Sequence, residues 1–136
     1  MICVSVTPEL EVIGFPEHYV YALVESGETK EVFYMPMTGG FKGFIERIAC
    51  DWEEGSNPPA TRTTHELIID GFSRKFQYEM QINKPYVFDP PIVVKNYIRW
   101  ITTNRDVPYT AADGTAKTGA HYYGIMVDGR LARPKI

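Results

Sequence analysis

The stretch Phe41-Lys42-Gly43-Phe44-Ile45-Glu46-Arg47-Ile48-Ala49-Cys50-Asp51-Trp52-Glu53-Glu54, closed by Gly55, carries the choice of fold class. Phe41, Phe44, Ile45, Ile48, Ala49 and Trp52 recur at three- and four-residue steps, the period of an amphipathic helix. Lys42, Glu46, Arg47, Asp51, Glu53 and Glu54 fill the opposite face, and Gly55 supplies a C-cap before the loop Ser56-Asn57-Pro58-Pro59. The residues predict a helix over 41–54. A second helix is expected from Asp89, as N-cap, and Pro90, at its first position, to about Asn104. Its apolar face would be Val93, Val94, Tyr97, Ile98, Trp100 and Ile101.

Working outward, the remaining apolar segments have the period of strands. Residues 2–7 alternate weakly and stop at Pro8. Residues 19–35, with Ser26-Gly27-Glu28 between two β-branched and aromatic runs, predict a hairpin. Residues 64–70 and 75–82 predict another around Gly71-Phe72-Ser73-Arg74, with strict alternation of Phe76, Tyr78, Met80 and Ile82. A last hairpin is expected from 121–127 and 130–135 about Asp128-Gly129. The order β-ββ-α-ββ-α-ββ implies an α+β fold in which two amphipathic helices pack on one face of an antiparallel sheet. At 136 residues the chain has the length of one domain, 1–136.

Composition narrows the function classes. No apolar run approaches the ~18 residues of a membrane span, and the first residues lack the pattern of a secretory signal. No Cys-x-x-Cys pair exists; Cys50 reads as a buried thiol, which places the chain in a reducing, cytoplasmic setting. The net charge of −3 conceals an asymmetry: residues 1–54 sum to −7 and residues 55–136 to +4. Such a dipole favours self-association or a charged partner if the two halves stay apart in space. The negative total argues against nucleic acid as a partner.

Few residues suggest chemistry. Thr38-Gly39-Gly40 and Lys42, between a strand and the expected helix, could cradle an anion on free N–H groups and a positive dipole end. Neither phosphate-loop pattern is present, so the plain alternative is a tight strand-to-helix turn. His65, Glu66 and Arg47 are the catalytic candidates, although His65 and Glu66 are strand neighbours and face opposite sides. No serine-hydrolase motif and no clustered metal ligands occur, so no metal and no cofactor is expected. The third group, Tyr97, Trp100, Arg105, Tyr109, Lys117 and Tyr122, combines aromatics with cations, the chemistry of protein interfaces. Within it, residues 106–119 form a long segment of small and polar residues, expected to act as an interface loop.

Tyr19-Val20-Tyr21, then Phe33-Tyr34-Met35-Pro36-Met37-Thr38, then the amphipathic stretch ending at Trp52 resemble the opening of a GIY-YIG nuclease. The resemblance spans about a quarter of the chain and implies a nucleic-acid enzyme with an arginine on the helix. Tyr19 and Pro36 stand where the family has glycines, and Phe44 stands at the arginine, with Arg47 nearly a turn later. Membership is not assigned on these residues. Two functions follow. One is a non-enzymatic interaction or structural accessory protein, of the kind phages and mobile elements encode, acting as a homo-oligomer or on a protein partner. The other is a small-ligand or nucleic-acid enzyme built on the Thr38–Lys42 loop.

Overall fold

A computed structural model describes residues 9–52, 63–76 and 85–135. The expected strand at 2–7, the loop at 56–59 and most of the alternating run at 75–82 lie outside these residues. Eleven strands occur and no helix among the described residues. They are β1 (Leu10–Gly14), β2 (Tyr19–Val24), β3 (Thr29–Pro36), β4 (Lys42–Trp52), β5 (Thr63–Ile69) and β6 (Phe72–Phe76). Then follow β7 (Tyr86–Val94), β8 (Tyr97–Asn104), β9 (Tyr109–Thr110), β10 (Ala116–Lys117) and β11 (His121–Pro134).

A five-stranded sheet runs β1-β11-β4-β7, with β2 also on β11, and a four-stranded sheet runs β3-β8-β5-β6. Every pairing is antiparallel. β1 and β2 lie end to end along β11, opposite residues 130–134 and 121–126. The two sheets meet face to face over one apolar core. Val24, Ile45, Cys50, Val94, Tyr123, Ile125 and Val127 come from one side, and Phe33, Met35, Leu67, Ile98 and Trp100 from the other. This is a β-sandwich, and the α+β expectation is overturned.

The error has a definite cause in both expected helices. In β4, Ile45 faces Gly129 and Arg47 faces Asp128, so Glu46 is an extra residue, a β-bulge. The bulge changes the phase of the strand, so the buried residues Ile45, Ile48 and Cys50 are spaced by three and then two. A three-residue step in a strand looks like a helical step in sequence. In the second case β7 and β8 belong to different sheets, joined only by Lys95-Asn96. Val94 and Ile98, four residues apart and both fully buried, face the core from opposite sides of this corner. Asp89 and Pro90, expected at a helix start, lie inside β7. With β4 a strand, the hairpin–helix order that carried the nuclease resemblance is absent, and Arg47 is on no helix.

Two hairpins are also corrected. β2 and β3 pair with β11 and β8, not with each other. Residues 121–134 form one continuous strand in which Asp128-Gly129 makes no turn. Gly129 is there for space: a Cβ on it would overlap the Phe44 carbonyl oxygen and lie 2.9 Å from the Phe15 ring. A hairpin does form near Gly71, but its turn is Asp70, at a φ of 52°, and Gly71, at 89°, while Phe72-Ser73-Arg74, expected in the turn, open β6. The Asp70 carboxylate accepts the N–H groups of Lys95 (2.8 Å), Asn96 (2.6 Å) and Tyr97 (3.1 Å), which ties this turn to the β7–β8 corner.

Gly129→Ala is expected to cost about 3 kcal/mol in urea denaturation, because the added methyl meets backbone and a packed ring. Gly124→Ala should cost clearly less, since its Cβ would meet only the Tyr19 ring end, which can swing outward. Equal costs at the two sites would contradict this account of Gly129.

Candidate functional site

Polar groups gather in three places, and the strand register determines each. The first is inside the sandwich, at the end where β5, β8 and β11 meet. Alternation along β5 and β8 turns Thr63, His65, Thr102 and Asn104 inward. Trp100 donates its Nε1–H to His65 Nδ1 at 3.2 Å, and Thr102 Oγ1 lies 3.0 Å from the same nitrogen. Indole nitrogen is only a donor, so Nδ1 is an acceptor and the neutral ring carries its proton on Nε2. Burial lowers the His65 pKa to about 4. The ring sits edge-on to Tyr123, whose hydroxyl is 2.9 Å from Thr63 Oγ1, so the polar contacts span both sheets.

On the far side of Tyr123, His121 Nε2 is 2.8 Å from Asp106 Oδ2, with 2% and 3% of the two side chains exposed. The Asn104 amide donates to the carbonyls of Val24 and Gly119, and its Oδ1 accepts the Asp106 N–H. Ser26 Oγ donates to the Asp106 carbonyl at 2.6 Å. Both side chains of this Asp–His pair are almost wholly buried. The pair fixes the base of the segment that follows β8. This network went unread in the sequence because no spacing links Asp106 to His121.

Above this base, residues 106–119 are not irregular throughout. Tyr109 pairs with Lys117 and Thr110 with Ala116 in a two-stranded hairpin, whose turn is closed by Gly114 N–H to Ala111 O (2.9 Å). The Asp113 carboxyl is held below its usual range, chiefly by the Thr115 backbone N–H. The hairpin strands are exposed, whereas Asp106 at the base is buried. Replacing 109–117 by a short Gly-Ser bridge should therefore shift the melting temperature by only a few degrees. A large fall would mean that the hairpin, and not its base alone, supports the core.

The second place is the outer face of the five-stranded sheet. Tyr19 and Tyr21 on β2 and Tyr122 on β11 are 45%, 53% and 38% exposed. Tyr21 and Tyr122 stack at 5.1 Å with planes 8° apart. Next to them the face carries ion pairs, Arg47–Asp128 (2.7 Å) and Arg130–Glu46 (2.9 Å). The third is the outer face of the four-stranded sheet, where Glu31, Tyr34, Tyr97 and Arg99 line an open hollow of about 360 Å³. Tyr34 and Tyr97 are 6.2 Å apart at 35°, and Arg99 Nε–H donates to Glu31 Oε1 at 2.8 Å. The Glu31 hydrogen bond, then its charge, keeps the Arg99 guanidinium more firmly protonated than usual.

The residues singled out in the sequence are thus dispersed. His65 is in the core, Glu66 pairs with Lys75 (3.7 Å) on the outside of β5, and Arg47 is on the other sheet, so they form no common centre. Trp100, expected at an interface, is fully buried. Tyr97 and Tyr122 are on opposite sheets, Arg105 donates to Thr64 Oγ1 (2.6 Å), and Tyr109 and Lys117 are on the small hairpin. Gly39 and Gly40 do form a turn, with φ of 63° and 79°, but Lys42 opens a strand, so no helix dipole acts there. The Gly39 carbonyl accepts from Arg133 Nη1 at 2.8 Å, and Arg133 also donates to Glu11 and covers the Phe41 ring. A hollow of about 510 Å³ beside them is lined by Glu11, Gly39, Gly40, Arg133, Pro134 and Lys135.

The charge asymmetry is resolved within the chain. Glu9, Glu11, Glu31 and Glu46 of the acidic half meet Lys135, Arg133, Arg99 and Arg130 of the basic half. No helix among the described residues is long and apolar enough to cross a membrane. No family model, curated protein or solved structure matches this chain.

Proposed function

We propose that this protein acts as a non-enzymatic interaction protein that self-associates through the outer face of its five-stranded sheet. The observation that supports this reading is the Tyr19, Tyr21 and Tyr122 patch. Three half-exposed tyrosines on two neighbouring strands give a broad apolar surface with few rotatable bonds, and such residues concentrate binding energy at interfaces. Their hydroxyls stay usable for hydrogen bonds at the rim. A single patch of this kind can meet its own copy across a two-fold axis, the commonest symmetry of soluble homo-oligomers. The ionic part of the same face, Arg47–Asp128 and Arg130–Glu46, would set the register of the pair more than its affinity.

Light scattering after size exclusion, across a wide concentration range, is the direct measurement. The expected result is a mass that rises from monomer to dimer with concentration. The double variant Tyr21→Arg/Tyr122→Arg should remain monomeric with a nearly unchanged melting temperature. A wild-type mass that stays monomeric throughout, or an equally dimeric double variant, would rule this interface out.

A further inference from the structure

We infer that the hollow formed by Glu31, Tyr34, Tyr97 and Arg99 on the outer face of the four-stranded sheet binds a neutral carbohydrate chain. The inference is independent of the self-association proposed above, which concerns the opposite sheet. Tyr34, on the edge strand β3, and Tyr97, at the start of β8, set their rings 6.2 Å apart at 35°. Tyr34 is 52% exposed and Tyr97 half-buried, and the tilted pair lies along an open hollow, so each ring offers part of an apolar face and a hydroxyl. The C–H face of a pyranose ring stacks on such faces, while its hydroxyls project to the sides.

What lies beside the two rings determines the class of ligand. Arg99 donates its Nε–H to Glu31 Oε1, and with 38% and 42% of the two side chains exposed, the guanidinium N–H groups and the carboxylate face the hollow as donors and acceptor. A sugar offers hydroxyls that do both at once. A phosphate or carboxylate ligand would meet Arg99 already neutralised by Glu31, with a second anion alongside. A proline-rich peptide would also fit between two aromatics, but its prolines have no N–H to give to Glu31. The hollow of about 360 Å³ is open, so a chain can continue beyond it along the sheet. Such an open surface suits holding a polymer, not excluding water for chemistry.

The test is isothermal titration of the full chain with a panel of neutral oligosaccharides, α- and β-linked glucans, a xylan and a chitin fragment, and with a proline-rich peptide. We expect at least one oligosaccharide to bind. Tyr34→Ala and Tyr97→Ala should each weaken it about tenfold, with Glu31→Gln also weaker and the melting temperature nearly constant. These variants should leave the oligomeric state as it is in the wild type. The inference is overturned if no oligosaccharide binds, if the peptide alone binds, or if Tyr97→Ala leaves binding unchanged.

Discussion

Lowering the pH from 6.5 to 4 is expected to remove about 3 kcal/mol of folding stability through His65 alone. Burial keeps the ring neutral in the fold down to about pH 4, whereas in the unfolded chain it takes up a proton near its ordinary 6.5. Geometry acts in the same direction. A proton on Nδ1 would set an N–H against the Trp100 N–H, which points at that nitrogen from 3.2 Å. Thr102, Trp100 and Tyr123 surround the ring and bring no counter-charge. The unfolded state therefore binds more protons between pH 6.5 and 4, so the His65 contribution is complete above that window and lost on descending through it. Urea denaturation at several pH values measures the slope, and His65→Gln, which keeps an acceptor in place, should flatten it. A wild-type stability constant over this window would contradict the assignment.

A separate acid loss should follow at lower pH, from Asp70. Burial on its own would raise this carboxyl, but the backbone N–H groups of Lys95, Asn96 and Tyr97, with the Lys95 charge, outweigh it. The net shift is downward, so the carboxylate stabilises the fold above its ordinary range. That contribution fades as the pH falls through its lowered folded value.

Asp106→Ala should be the most damaging single truncation of a polar side chain, at about 2–3 kcal/mol. It removes the acceptor for His121 Nε2 at 2.8 Å in the interior and for the part-buried Val107 N–H at 2.9 Å. His121, 2% exposed, gains no water in exchange, so its desolvation cost remains. The surface pair Arg47–Asp128 has an even shorter contact, 2.7 Å, yet Asp128→Ala should cost at most about 1 kcal/mol, since water solvates both partners. Chemical denaturation of the two variants side by side separates burial from distance as the cause. Similar losses would show that the Asp106–His121 pair does not anchor the strands it joins.

How far the sequence could be read differs from element to element. The hairpin of β5 and β6 was legible in part: a turn near Gly71 is a local fact, but it closes at Asp70-Gly71, and Phe72-Ser73-Arg74, expected in the turn, belong to β6. The opposite orientations of His65 and Glu66 follow from the two-residue period of a strand, and the structure keeps them. The candidate hollow was not visible. A helix over Asp89–Asn104 puts Tyr97 on its apolar face and Arg99 elsewhere, whereas on strand β8 the two share a face by simple alternation. Glu31 and Tyr34 are three apart and would fall on opposite faces of a regular strand. The register shift between Glu31 and Phe33 brings them to the same side.

Local composition alone predicts strong apolar segments, a hairpin turn near Gly71 and the opposite facing of His65 and Glu66, since each depends on neighbours within a few residues. The choice between helix and strand for Lys42–Trp52 lay elsewhere. A bulge at Glu46 is defined by the partner strands: the register shifts there against both β11 and β7, and Gly129 of β11 admits the Phe44 carbonyl and the Phe15 ring. Helical and bulged-strand spacings of apolar residues are degenerate over such a length. Residues 123–132 of β11, distant in the chain, settle the matter by backbone pairing along β4. Long-range strand pairing supplies both the hydrogen bonds and the burial, and no local period records it.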